Sequence, residues 1–79
     1  MNFSEALEEV KRGSRAAREG WNGKGMWIGL VSEWTFENPA QWPVGERAPF
    51  LAMRTADDKI VPWLASQTDV LAEDWEVIP

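Results

Sequence analysis

The 79-residue chain contains no cysteine, no histidine and no tyrosine. Without cysteine there is neither a disulfide framework nor a thiolate metal site. Without histidine as well, zinc and copper centres are not expected. Long apolar runs are also missing, and nothing approaches the ~20 residues of a membrane span. The N-terminal stretch is acidic, unlike a secretory signal. Basic charge is in deficit: the formal net charge is −5, which disfavours a nucleic-acid backbone as partner. These absences predict a soluble cytoplasmic protein with no cofactor or metal, and with neither a nucleic-acid polymer nor a membrane as partner.

Length sets the next bound. A second domain would have too few residues for its own core, so residues 1–79 are read as one domain. A chain this short buries only about 60% of the surface that its unfolded form exposes, and is marginal alone. What it has in excess is tryptophan, with six copies. A core of this size holds about two or three indoles, each needing a partner for its N–H. The others belong at a subunit interface or a ligand site, where tryptophan is enriched. A homo-oligomer is expected.

Charge is split along the chain. Five bases between Lys11 and Lys24 face Glu19 alone, and six acids between Asp57 and Pro79 face Lys59 alone. Such a division can orient two subunits, present a basic pocket to a small anion, or simply make a solvated surface.

FSEALEEVKRG predicts a short helix capped by Ser4, with Lys11 and Arg12 at its C-terminal dipole and Gly13 as the stop. SRAAR is a weak strand signal. MWIGLVSEW has the β-branched and aromatic content of a strand, with Met26, Ile28 and Leu30 on one face and Trp27, Gly29 and Val31 on the other. Glu37 to Pro49 carries three prolines and reads as a long irregular loop. PFLAMRTADDKIVPWL is the clearest hairpin, turning at Ala-Asp-Asp, with Pro62 marking an edge or a strand end. SQTDVLAEDW opens with Ser66 and Asp69 at capping-box spacing, and WEVI closes the sheet. The reading is an α+β domain: a mainly antiparallel sheet of four or five strands and two short helices.

Two stretches draw attention as sites. In Trp21-Asn22-Gly23-Lys24-Gly25 glycine, lysine and tryptophan lie side by side. A Walker loop needs G-x-x-x-x-G-K-[ST] leading into a helix; this stretch leads into a strand and lacks the hydroxyl for magnesium, so ATP hydrolysis is not expected. A glycine-rich turn can still aim backbone N–H groups at an anion, and Trp21 or Trp27 can stack a base. The competing reading is a plain hairpin turn in which Asn22-Gly23 supplies positive φ, and on residues alone it is the better one. In VPWLASQTDVLAEDW, Ser66 and Asp69 are most economically a cap. Ser66, Gln67 and Thr68 nonetheless sit at a helix N-terminus with Trp63 and Trp75 flanking, where ring amides or hydroxyls can be read. For acid–base work the chain offers only carboxylates and lysine. Asp57-Asp58 suits a turn and Glu73-Asp74 a solvated helix end, and no nucleophile has a base. Binding is favoured over catalysis.

FSEALEEVKRG, AREGWNGKGMWI and FLAMRTADDKIVPWLASQTDVLAEDWEV together resemble the Thoeris anti-defence protein 2 family of phages and prophages. The resemblance covers about residues 1–32 and 49–78. Its specificity lies in the combination of R-x-G-W-N-G-K, V-P-W-x-x-S-Q-x-D and A-x-D-W; Glu33 to Ala48 is not matched by these blocks. The resemblance implies a homotetrameric sponge in the bacterial host cytosol. Such a protein sequesters cyclic ADP-ribose isomers, such as glycocyclic ADP-ribose, that TIR-domain sensors make, and some members also bind cyclic dinucleotides. On that reading Trp21 stacks adenine, with Trp27 and Trp63 as further indoles. Asn22, Gly23, Lys24 and Arg18 meet the pyrophosphate, and Ser66, Gln67 and Asp69 meet ribose hydroxyls. Nanomolar affinity, about −12 kcal/mol, is needed to compete with a receptor, and a pocket shared between subunits supplies it more easily than one small chain. Rival readings are an enzyme that cleaves the signal and an interaction protein that blocks a host protein through its tryptophans.

Overall fold

The computed structural model describes residues 1–34 and 47–79. Along the chain they form α1 (Phe3–Lys11), β1 (Arg15–Arg18), β2 (Trp27–Val31), β3 (Phe50–Arg54), β4 (Ile60–Pro62), α2 (Gln67–Leu71) and β5 (Trp75–Ile78). All five strands join one sheet in the order β4-β3-β2-β1-β5, and every pairing is antiparallel. The α+β expectation with an antiparallel sheet holds. Most of the predicted Glu37–Pro49 loop lies outside the described residues.

The first helix starts differently from the sequence reading. Asn2, not Ser4, is its cap: the Asn2 side chain accepts from the Glu5 N–H at 2.9 Å, and the Glu5 carboxylate accepts from the Asn2 N–H at 3.0 Å. Asn2 and Glu5 have the capping-box spacing, and that reciprocal pair outcompetes a lone serine two positions on. At the other end Gly13 does stop the helix. With φ at 101°, it donates to the Val10 carbonyl at 3.0 Å while Ser14 donates to Glu9 at 3.0 Å, which is the Schellman arrangement.

Partner residues of an antiparallel ladder share a face, so the registers sort the sheet into two sides. Ala16 pairs Ile28, Ile28 pairs Met53, Met53 pairs Val61 and Ala16 pairs Val77. α1 covers this side over β1, β5 and β2. Its Ala6 and Val10 join Ala16, Ile28 and Trp75 in the buried core, with Phe3, Trp21, Leu30, Leu51, Met53 and Trp63 packed around them. The division of β2 into two faces is therefore as its sequence predicts. The opposite side carries Trp27, Gly29 and Val31 of β2, facing Arg54, Ala52 and Phe50 of β3. No described helix packs on it.

The hairpin turns through Ala56-Asp57-Asp58. Thr55 N–H donates to the Lys59 carbonyl at 2.8 Å and Asp58 N–H to the Thr55 carbonyl at 3.0 Å. Asp58 takes the left-handed conformation at φ 64°, which aspartate tolerates better than most residues. Pro62 ends β4 at the edge of the sheet, where its missing N–H costs no ladder bond. Ser66 and Asp69 form the expected capping box on α2.

Candidate functional site

Arg18 ends β1 opposite Trp75, which begins β5, and Trp27 opens β2 opposite Arg54 at the end of β3. One end of the sheet thus collects the turn after β1, the start of β5 and the β3–β4 hairpin. Most of the sequence-selected residues meet there.

At the centre of this end is Arg18. Its Nε donates to Asp74 Oδ1 at 2.9 Å and its Nη1 to Asp69 Oδ1 at 2.9 Å. The three side chains are only 16%, 31% and 14% exposed for Arg18, Asp74 and Asp69. Charge-assisted bonds of this kind are stronger than neutral ones, and the net gain is what remains after desolvation. Asp74 also accepts from the Gly20 N–H at 2.8 Å, and its own carbonyl accepts from Glu19 at 3.1 Å. The Glu19–Trp21 turn is thereby fastened to the start of β5. Asp74 is therefore not the solvated helix-end acid that its position suggested. The basic segment and the acidic segment of the chain meet here within one protomer.

Asp69 is the second hub. Its Oδ1 accepts from Trp21 Nε1 at 3.3 Å as well as from Arg18, and its Oδ2 accepts from Ser66 N–H at 3.3 Å. Its backbone carbonyl accepts from Trp75 Nε1 at 2.8 Å. One short helix thus satisfies the indole N–H groups of Trp21 and Trp75. The rings themselves pack edge-on: Trp21 and Trp63 each meet Trp75, with centroids 5.3 and 6.1 Å away, and Trp21 meets Trp63 at 6.5 Å. Phe3 of α1 closes the cluster, 5.3 Å from Trp75. Such tilted and T-shaped contacts suit the quadrupoles of the rings.

These contacts set the ionisation of the site. For Asp69, burial works against the charged form and is the largest influence. Bonds from Arg18, Ser66 and Trp21 together outweigh it and hold the carboxyl below its ordinary value. The Arg18 bond is the main reason that Asp74 also titrates low, ahead of the opposing burial and the Gly20 N–H. Arg18 is raised in turn, by Asp74 first and Asp69 second.

The remaining selected residues divide. Asn22 and Lys24 are exposed on the loop that follows Trp21, and Gln67 is exposed at the start of α2. Gly23 lies close to the hairpin, where an added Cβ would come within 2.7 Å of Ala56 and would also strike Met26. Positive φ in this loop falls at Gly25, at 74°, and not at Asn22-Gly23. The plain-turn reading therefore put the left-handed residue in the wrong place, because tertiary contacts with the hairpin shape the loop. Trp27 is apart from the others. It lies on the open side of the sheet over Gly29, and Arg15 stacks on its ring at 5.2 Å from the centroid. The structure brings together Arg18, Trp21, Trp63, Ser66 and Asp69, places Asn22, Gly23 and Lys24 next to them in the chain, and sets Trp27 on the opposite face.

Sequence reasoning passed over Asp74, Phe3 and Arg54 as contributors. Asp74 had a signal, since it lies inside the A-x-D-W block, yet its partner is 56 residues away. Among the described residues no group of three or more acidic side chains is placed to hold a metal, and no helix is long and apolar enough to cross a membrane.

Residues 1–78 match the model of the Thoeris anti-defense 2-like domain, abbreviated Tad2-like. The chain belongs to that family. It is also similar to a protein of Bacillus phage SP01 named Thoeris anti-defense 2, at 42% identity over 84 aligned residues covering 99% of this chain and 94% of the relative.

Proposed function

We propose that this protein inhibits Thoeris-type anti-phage defence by binding and sequestering a cyclic nucleotide signal, without chemical conversion. The ligand class is a cyclic ADP-ribose isomer such as glycocyclic ADP-ribose, with cyclic dinucleotides as a second class in a separate pocket. The observation that carries this reading is membership of an anti-defence family over residues 1–78. The geometry supports it in a specific way. A half-exposed indole, Trp21, is held by a carboxylate and two other indoles, beside a loop that offers an amide and an ammonium, Asn22 and Lys24, to solvent. A ring platform set beside an anion contact suits a nucleotide. In this arrangement Arg18 and Asp69 serve as the frame, because each is already bonded within the chain. Trp21, Asn22, Lys24 and Gln67 make the direct contacts.

The site of action would be the bacterial cytosol, and the working form a homotetramer. Support for association comes from the side of the sheet that no described helix covers. It presents Trp27, Val31, Phe50 and Ile60, with Phe50 and Ile60 37% and 62% exposed. A solvated antiparallel face is ordinarily polar, and an apolar one calls for cover. Sedimentation velocity on the wild type and on Trp27→Glu tests this: the variant should shift toward smaller species.

The functional test is recovery of the ligand. Glycocyclic ADP-ribose is mixed with excess protein, the filtrate is assayed, and the retained fraction is heat-denatured. Sequestration gives a depleted filtrate and intact nucleotide on heating. A product whose amount grows with time would establish cleavage instead. No depletion with any cyclic nucleotide would favour a direct block of a host protein, for which the same open face would be the contact.

A further inference from the structure

The loop that carries Asn22 and Lys24 is fastened at both ends. Its entry is tied to Asp74 through the Gly20 N–H. Its exit is tied to a residue outside both motifs: Arg54 Nη1 donates to the Gly25 carbonyl at 2.8 Å. The rest of the Arg54 guanidinium turns to the hairpin, with Nε and Nη2 each 3.0 Å from Asp58 Oδ1. Asp58 is 78% exposed, so the ion pair by itself adds little stability. Its consequence is orientation, since a planar guanidinium fixed along one edge has its remaining donor fixed as well. The turn that holds Asp58 is built for this. Thr55 bonds Asp57 and accepts from the Lys59 N–H, and Lys59 pairs Asp57 at 3.2 Å. Gly23 packs against Ala56 of the same turn.

We infer that Arg54, oriented by Asp58, is a positioning residue that holds the 21–25 loop in its ligand-facing shape through the Gly25 carbonyl. This rests on the reading that the loop contacts an anionic nucleotide. The physical benefit is preorganisation: a loop already fixed loses less conformational freedom on binding. Lysine in place of Arg54 can reach the carbonyl or Asp58 but cannot fork to both, so the pair demands arginine.

Backbone 15N relaxation on the full chain reads the loop directly, because the order parameter follows the motion of an N–H vector whether or not it is hydrogen-bonded. Arg54→Met keeps the aliphatic stem and removes the donors. Order parameters over residues 22–25 should fall from the rigid value of about 0.85 to below about 0.6, while α1 keeps its wild-type values. Affinity for glycocyclic ADP-ribose should fall about tenfold in Arg54→Met and recover in part in Arg54→Lys. Asp58→Asn, which tolerates the same backbone conformation, should lie between wild type and Arg54→Met in both measurements. Unchanged loop order parameters in Arg54→Met overturn the inference, as does an equal fall throughout the chain, which would mark a general loss of rigidity. A more mobile loop with unchanged affinity overturns the binding part of the inference and leaves Arg54 only shaping the loop. If wild-type protein binds no cyclic nucleotide, the sponge reading fails separately, and loop relaxation in Arg54→Met still decides whether Arg54 holds the loop.

Discussion

The two faces of the sheet use tryptophan in opposite ways. On the covered side Trp75 is 2% exposed, surrounded by Phe3, Trp21 and Trp63, with its N–H given to the Asp69 carbonyl. On the open side Trp27 lies on Gly29 beneath the Arg15 guanidinium. The first indole closes the core between α1 and β5. The second lies over Gly29, on a face where Ala17 and Ala52 are 6% and 4% exposed and no described helix packs. Indoles of equal size therefore serve cohesion on one side and surface cover on the other. The difference comes from what lies opposite each ring.

Trp75→Ala should break the covered side outright, at a cost of about 4 kcal/mol, read as a drop in the denaturation midpoint. Arg18→Met comes next. It leaves Asp69 and Asp74 facing one another without their shared cation, and the denaturation midpoint should fall by less than in Trp75→Ala because Asp74 is partly solvated. NMR titration of Arg18→Met should show both carboxyl groups moving up in pKa.

Acid provides a third, smaller test of the same side. Asp69 and Asp74 titrate below the ordinary value of 3.8 in the folded protein. Their contribution to stability is thus complete above that value and is lost as pH falls below it toward the folded pKa. Tryptophan fluorescence against pH should show the loss below about pH 4, and Asp69→Asn should flatten the curve. The smallest effect belongs to Trp27→Ala, about 1 kcal/mol for the stacked arginine and ring contacts. A loss as large as that of Trp75→Ala would erase the distinction between the faces.

Much of the fold was legible in the residues. The period-2 pattern of Met26 to Val31, the Ala-Asp-Asp turn and the Ser66–Asp69 cap are local signals, and the chain obeys them. The start of α1 was misread because two residues, Asn2 and Ser4, both suit a cap, and the choice rests on the reciprocal bond with Glu5. The site was legible only in pieces. W-N-G-K, S-Q-x-D and D-W each stood out as chemistry, but nothing local says that Asp69 receives Trp21, Arg18 and Ser66 at once. Nor does spacing reveal that Trp27 is turned away from Trp21, since that follows from where β2 begins relative to the loop.

By itself the sequence determined the inventory and the periodicities: no thiol or imidazole chemistry, an acidic chain rich in tryptophan, short helices with readable caps, and strands with two distinct faces. These depend on composition and on contacts a few residues apart. Only the tertiary structure decided that Arg18 joins Asp69 and Asp74, that one short helix anchors two indoles, and that the hairpin shapes the loop through Arg54. Apart from Trp75, six residues from Asp69, those are pairings between groups 29 to 56 residues apart. The strand registers bring them within bonding distance, and no local pattern encodes which of several acids or bases will be the one opposite.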